Sequence, residues 1–268
     1  MTHPAERAGT GGGPTTEAGP LGRVDPTHPG TSTTVVRPPL WSATATVVIG
    51  LFGLIASLVV LGSVAAGVRS QEVFALDAWA TPFLHGIASP GLDTLMNTLT
   101  TLGTSAVIVP ALAVVVALLL WRRRRGAALF LAVVCAGALV LNGTMKVFFA
   151  RPRPALPWAS VLPDYSFPSG HTMNAVVFYL ALALILWSIR GRRTGLPAVA
   201  VAVAVAIGVG ISRIYLGYHY LTDVVGGLLA GIAWLLVVGT ALRARPAWQQ
   251  WRGSGQAATA GPGAERPG

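Results

Sequence analysis

The chain has 268 residues, 53% of them apolar and only 10% charged, with a mean hydropathy of +0.64, and such a chain belongs in a membrane. Its formal charge of +10 raises nucleic acid as a partner, but most basic residues lie between apolar runs rather than on one soluble face, so the charge is assigned to membrane-flanking loops and no nucleic-acid partner is expected. Cys135 is the only cysteine, which excludes a disulfide framework and a cysteine metal site.

In chain order, Met1 to Leu40 is rich in Gly, Pro and Thr and is predicted to be a disordered cytoplasmic tail. No basic region followed by an apolar stretch opens the chain, so the first span, Trp41 to about Gly67, is expected to act as its own uncleaved membrane signal. Gln71 to Gly103 carries Asp77, His85 and Asp93 and reads as too polar to span; short helices lying on the membrane surface or capping a site are expected there, with no chemical role for Asp77 or His85. The second span is predicted from about Leu102 to Trp121, closed by the four arginines 122 to 125. A third, from about Gly126 to Phe149, delivers Lys146, the only lysine, to its far end.

Arg151 to Gly170 forms a loop stiffened by five prolines. Beyond it come a fourth span (Thr172 to about Ile189), a fifth (about Leu196 to Ile211) and a sixth (about Val224 to Leu242). The VAVAVAV run of the fifth resembles a strand, but an isolated strand leaves its backbone unpaired in lipid; Ala200, Ala204, Gly208 and Ser212 instead make a small-residue face for helix packing. Gly227 and Gly231 repeat that interval in the sixth. Residues 243–268 are predicted to be a second disordered cytoplasmic tail around the 41–242 membrane domain.

Three polar stretches stand at the ends of these spans. Lys146 to Pro154 reads K-x6-R-P, Pro168 to His171 reads PSGH, and Ser212 to Asp223 reads S-R-x5-H-x3-D. The PSGH turn opens a helix, so the N–H groups of Ser169, Gly170 and His171, with the positive helix end, suit an anion. Lys146, Arg153 and Arg213 add fixed positive charge, the arginine forks matching paired phosphoryl oxygens. His219 and Asp223 are four residues apart, one turn if the last helix begins early enough; a carboxylate on one ring nitrogen leaves the other free to attack phosphorus. His219 is then the nucleophile and His171 the general acid.

Together, in order and with these intervals, the three stretches resemble the signature of the type 2 phosphatidic acid phosphatase family, which shares its fold with the vanadium haloperoxidases. The resemblance covers roughly Asp77 to Leu242 and implies an all-α bundle of six transmembrane helices and the same roles at these positions. The expected activity is hydrolysis of a lipid phosphate or diphosphate, such as phosphatidic acid, phosphatidylglycerol phosphate or a polyprenyl diphosphate, through a phosphohistidine. No metal or other cofactor is expected, because three cationic side chains do the charge work, Asp223 is committed to His219 and Asp164 stands alone in its loop. Vanadate is expected as an inhibitory phosphate mimic. Two alternatives stay open: a soluble phosphate ester as substrate, or a non-catalytic lipid-binding or transport protein that keeps the fold.

Orientation follows from arginine count. With both termini inside, fourteen of eighteen arginines are cytoplasmic, and all three motifs come to the extracytoplasmic face of the cell membrane.

Overall fold

The computed structural model describes residues 40–70, 74–159 and 162–259, the side chains of 40–47 and 243–259 excepted. All its regular elements are helices: α1 (Leu40–Arg69), α2 (Ala75–Gly86), α3 (Pro90–Thr101), α4 (Ser105–Trp121), α5 (Arg125–Phe149), α6 (Gly170–Arg190), α7 (Arg192–Tyr215) and α8 (Leu221–Thr259). The predicted first tail lies outside the described residues.

Five helices are long and apolar enough to cross a bilayer, and α3 and α4, bent by 45° at their junction, meet that measure only when taken together. The second predicted span, from about Leu102 to Trp121, coincides with α4. A 17-residue α4 rises about 25 Å, at the short end of what a hydrocarbon core of roughly 30 Å takes, and α3, part of the segment read as too polar to span, leads into it. The Ser89 hydroxyl caps α3 by accepting the Leu92 N–H at 3.4 Å.

The centre of the bundle is α6, half of whose apolar window is buried, against 6% for α1 at the periphery. Leu131, Val134 and Ala138 of α5, Met173, Val177 and Ala181 of α6, and Val209 of α7 are all buried together with Ala230 of α8. Trp234 locks α5 to α8: its indole N–H donates to the Val134 carbonyl at 2.9 Å over Gly137, where a Cβ would stand 2.1 Å from the ring.

The alternating run is helical, as expected, but its buried small residues are Ala202, Ala206 and Gly210 rather than Ala200 and Ala204, which are exposed. Gly208 faces Leu99 of α3 instead, and Ser212 is buried. Both registers present a small residue every fourth position, so spacing alone does not choose between them. On α8, a Cβ at Gly227 would stand 2.6 Å from the Ser169 carbonyl oxygen, and one at Gly231 would stand 3.0 Å from Val176, so these two glycines let α8 close on α6. Beyond Leu242 the helix continues to Thr259, over residues where a disordered tail is expected from the sequence. Residues 260–268 lie outside the described part.

Outside the spans, α2 turns Asp77, Ala80 and Thr81 inward and leaves Leu76, Trp79 and Phe83 exposed, the two-faced pattern of a surface helix. His85 stacks on Trp158 with ring centroids 3.8 Å apart, tying α2 to the loop before α6.

Candidate active site

At the end of α5, Ala150 adopts a left-handed conformation (φ 45°) and turns the chain back toward the bundle. This brings Lys146 and Arg153 onto the loop that precedes α6. The Lys146 ammonium donates to the Asp164 carboxylate and, at 2.7 Å, to the Tyr165 carbonyl. Arg153 donates from Nη2 to Asp164 Oδ1 at 2.7 Å and from Nε to the Asp164 carbonyl at 3.0 Å. Asp164 thus does not stand alone in its loop. Although partial burial works the other way, these two cations hold its carboxyl down to about 2.

The other edge of Arg153 reaches the last motif. Nη1 donates to the Tyr218 carbonyl at 2.7 Å and lies 3.1 Å from His219 Nε2. A guanidinium cannot accept a hydrogen bond, so Nε2 holds the lone pair and the ring proton is assigned to Nδ1. Burial pulls His219 down to about 4 despite the opposing Asp223, which keeps the imidazole neutral near pH 7. The ring is 1% exposed.

Asp223, fully buried in the first turn of α8, is shared rather than committed to His219. Its Oδ2 lies 3.4 Å from His219 Nδ1 and accepts the Tyr220 N–H at 2.9 Å and the Ser166 hydroxyl; Oδ1 accepts Arg151 Nη1 at 2.6 Å. Ser166 Oγ is also 3.3 Å from His219 Nδ1, so a buried hydroxyl sits between the two.

Of the PSGH turn, His171 and Gly170 occupy the first turn of α6, whose N–H groups have no carbonyl one turn earlier to bond. The expectation of three convergent N–H groups is reduced by one, because the Ser169 N–H donates to the Asp223 carbonyl at 2.9 Å. The Ser169 hydroxyl accepts from Thr172 at 2.9 Å, which leaves its own proton to donate. A Cβ at Gly170 would be 2.9 Å from Asn142 Oδ1 and would displace that side chain, whose amide steadies the turn by donating to the Pro168 carbonyl at 3.3 Å. The cationic neighbours of His171 are Arg213, Lys146 and Arg153, with the neutral His219 beside them. Arg213, at the end of α7 and 4% exposed, donates to Thr100 Oγ1 at 3.0 Å and lies 4.2 Å over the Tyr218 ring, while its buried Nε has no partner among the described residues.

Every residue singled out from the sequence therefore belongs to one cluster at a single end of α5 to α8. Sequence reasoning missed Ser166, Arg151, Asp77, Asn142 and Thr100 as its supports. Their signal was faint: Arg151 is an extra arginine beside a motif, and Asp77 an isolated acid in an apolar setting. A cavity of about 470 Å3 lies behind Arg151 and Asp77, lined also by Arg69, Phe149 and Tyr220, and is distinct from the cluster of Lys146, Arg213 and the two histidines. Among the described residues no three His, Cys, Asp or Glu side chains group as a metal site requires.

The chain is similar to known proteins in sequence and in fold. The PAP2 superfamily model matches residues 126–246. Phosphatidylglycerophosphatase B of Bacillus subtilis is 30% identical over 178 residues, covering 65% of this chain and 87% of the relative. Undecaprenyl-diphosphatase BcrC of the same organism is 30% identical over 109 residues, 39% of this chain and 52% of the relative. Among solved structures, the transmembrane PAP2-type phosphatidylglycerolphosphate phosphatase of Bacillus subtilis superimposes with a TM-score of 0.66 at 28% identity, covering 70% of this chain and 94% of that one.

Proposed function

Starting from the fact that this multi-span membrane protein belongs to the PAP2 superfamily, we propose that it hydrolyses a lipid phosphate or diphosphate through a phosphohistidine at His219. The observation that carries the reading is the orientation of that ring: Nε2 offers its lone pair beside Arg153 at 3.1 Å, while the proton on Nδ1 faces Ser166 and Asp223.

Phosphate monoesters hydrolyse extremely slowly without help, so the anion must be held, attacked and relieved of a poor leaving group. Lys146, Arg153 and Arg213 surround the phosphoryl oxygens, and the Gly170 and His171 N–H groups with the Ser169 hydroxyl complete the cradle. His219 Nε2 forms a bond to phosphorus as the bond to the ester oxygen breaks. That oxygen takes a proton from His171 and departs as the alcohol, or as the lipid monophosphate from a diphosphate. Asp223 stabilises the positive charge that forms on the His219 ring. Water then attacks the phosphorus, His171 removes its proton, the N–P bond breaks, and phosphate leaves with both histidines restored. Fixed cations supply the charge, so no metal ion is invoked.

The relatives point to substrates carrying phosphate on a lipid or isoprenoid: one is named for phosphatidylglycerophosphate and another for undecaprenyl diphosphate. We place both termini in the cytoplasm and the site at the extracytoplasmic face on the arginine distribution. In a Cys135→Ser background, Ala155→Cys should then react with an impermeant thiol reagent in intact cells and Arg192→Cys should not; the reverse pattern inverts the orientation. The activity is tested by phosphate release from purified protein against a panel of lipid phosphates and diphosphates in detergent. Release that survives chelator and disappears in His219→Ala supports the reading, and no release from any member overturns it.

A further inference from the structure

Behind the nucleophile a line of buried charge runs from Asp223 to α2. The Arg151 guanidinium joins two carboxylates, with Nη1 at 2.6 Å from Asp223 Oδ1 and Nη2 at 2.8 Å from Asp77 Oδ2. Asp77 also accepts the Thr222 N–H at 2.8 Å and the Thr222 hydroxyl at 2.6 Å, and that hydroxyl oxygen accepts Arg151 Nη1 at 2.8 Å. Arg151 lies 4.1 Å over the Tyr220 ring, which fixes the plane of its fork. The three side chains are 5%, 11% and 0% exposed for Asp77, Arg151 and Asp223, so bulk water screens them far less than a surface pair.

This arrangement matters because the direct approach of His219 Nδ1 to Asp223 is long, at 3.4 Å. The Asp223 carboxylate is oriented by Arg151, Ser166 and the Tyr220 N–H rather than by the histidine it serves. Arg151 alone, however, would cancel the Asp223 charge just where phosphorylation of Nε2 makes the ring positive. Asp77 restores it: two carboxylates and one guanidinium leave one net negative charge.

We propose that Asp77, on the surface helix α2, is a positioning residue for phosphoryl transfer: through Arg151 it holds Asp223 in place and keeps the buried Asp77–Arg151–Asp223 group negative toward His219. The inference rests on His219 being the nucleophile. None of the three cationic side chains assigned to the phosphate is bonded to Asp77, so it should govern turnover and not anion binding.

The test compares Asp77→Asn, Arg151→Met and the double variant, purified in detergent, by kcat, KM and the inhibition constant of orthovanadate. Asp77→Asn should lower kcat about ten- to a hundredfold, as losing a group that orients a reacting one does, with KM and the vanadate constant within about threefold. Because Asp77 acts through Arg151, the double variant should be no slower than the slower single. Asp77→Glu should recover part of the lost turnover. An Asp77→Asn enzyme with unchanged kcat, losses carried equally by KM and the vanadate constant, or losses that multiply in the double variant would each overturn the proposal. If Asp77→Asn does not fold, Asp77→Glu and Arg151→Lys carry the same comparison of kcat with vanadate binding, and loss of the fold in all of them assigns the group a structural role and overturns it. His219→Ala is run alongside: if active, it removes the reading of the site itself, whereas an inactive His219→Ala beside an unimpaired Asp77→Asn removes only the role of Asp77.

Discussion

The two histidines of the cluster sit in opposite surroundings. His219 is enclosed, with both ring nitrogens facing fixed neighbours, Arg153 on one side and Ser166 with Asp223 on the other. His171 is half-buried at the open first turn of α6, beside an arginine whose Nε has no partner among the described residues. Preorganised bonding suits a group that must always attack along one line. Unspent donors suit a region that a charged substrate has yet to fill. The difference between the two halves teaches that position in the hydrogen-bond network, more than residue type, separates nucleophile from acid here.

That separation breaks first, and with the largest effect, at His171. A general acid contributes about a hundred- to ten-thousandfold, in proportion to how badly the leaving group needs a proton. His171→Ala should therefore lose that much in the first-turnover rate of leaving-group release from an alkyl phosphate and little from an activated aryl phosphate, a step that comes before the N–P bond breaks. Equal losses on both substrates would contradict the assignment.

Arg213→Lys probes the open half more gently. Lysine keeps the charge but loses the planar fork that stacks on Tyr218 and bonds Thr100, and kcat/KM should fall about a hundredfold, the scale of one lost oxyanion donor. A fully active variant would show that the fork geometry does not matter.

The smallest effect concerns the enclosed half alone. His219 is held at about 4 in the folded protein, against an ordinary value near 6.5. A depressed histidine favours the fold above its unfolded value and opposes it as pH falls from about 6.5 toward 4, by up to about 1.4 kcal/mol per pH unit. Unfolding in detergent should show that slope, and His219→Gln should be shallower by one proton's worth. An unchanged slope would mean the ring is not held neutral.

Much of this was legible in the sequence, for a physical reason. Lipid forbids stray polar groups in its interior, so charged and catalytic residues are driven to the span ends, and the three motifs stand out there against an apolar background. The supporting bonds were not legible because they join segments far apart in the chain. Ser166 meets Asp223 across 57 positions and Asp77 meets Thr222 across 145, and nothing in either local stretch names its partner. The packing register of α7 escaped for a different reason, since an alternating Val/Ala run offers two equivalent small faces. The bend between α3 and α4 was hidden by the threonines and Asn97 of α3, whose side chains bond back to carbonyls of their own helix and so let a polar-looking segment lead into an apolar helix.

The central claim is the covalent step at His219, and it is tested most directly by trapping. Purified His171→Ala enzyme, slowed in breaking the N–P bond, is mixed with substrate labelled with radioactive phosphorus, quenched in alkali and digested. The account predicts label on the peptide containing His219, stable to alkali, released by acid, and absent when His219→Ala is added to the same protein. Label on any other residue, or the same label retained in the His219→Ala background, would contradict it.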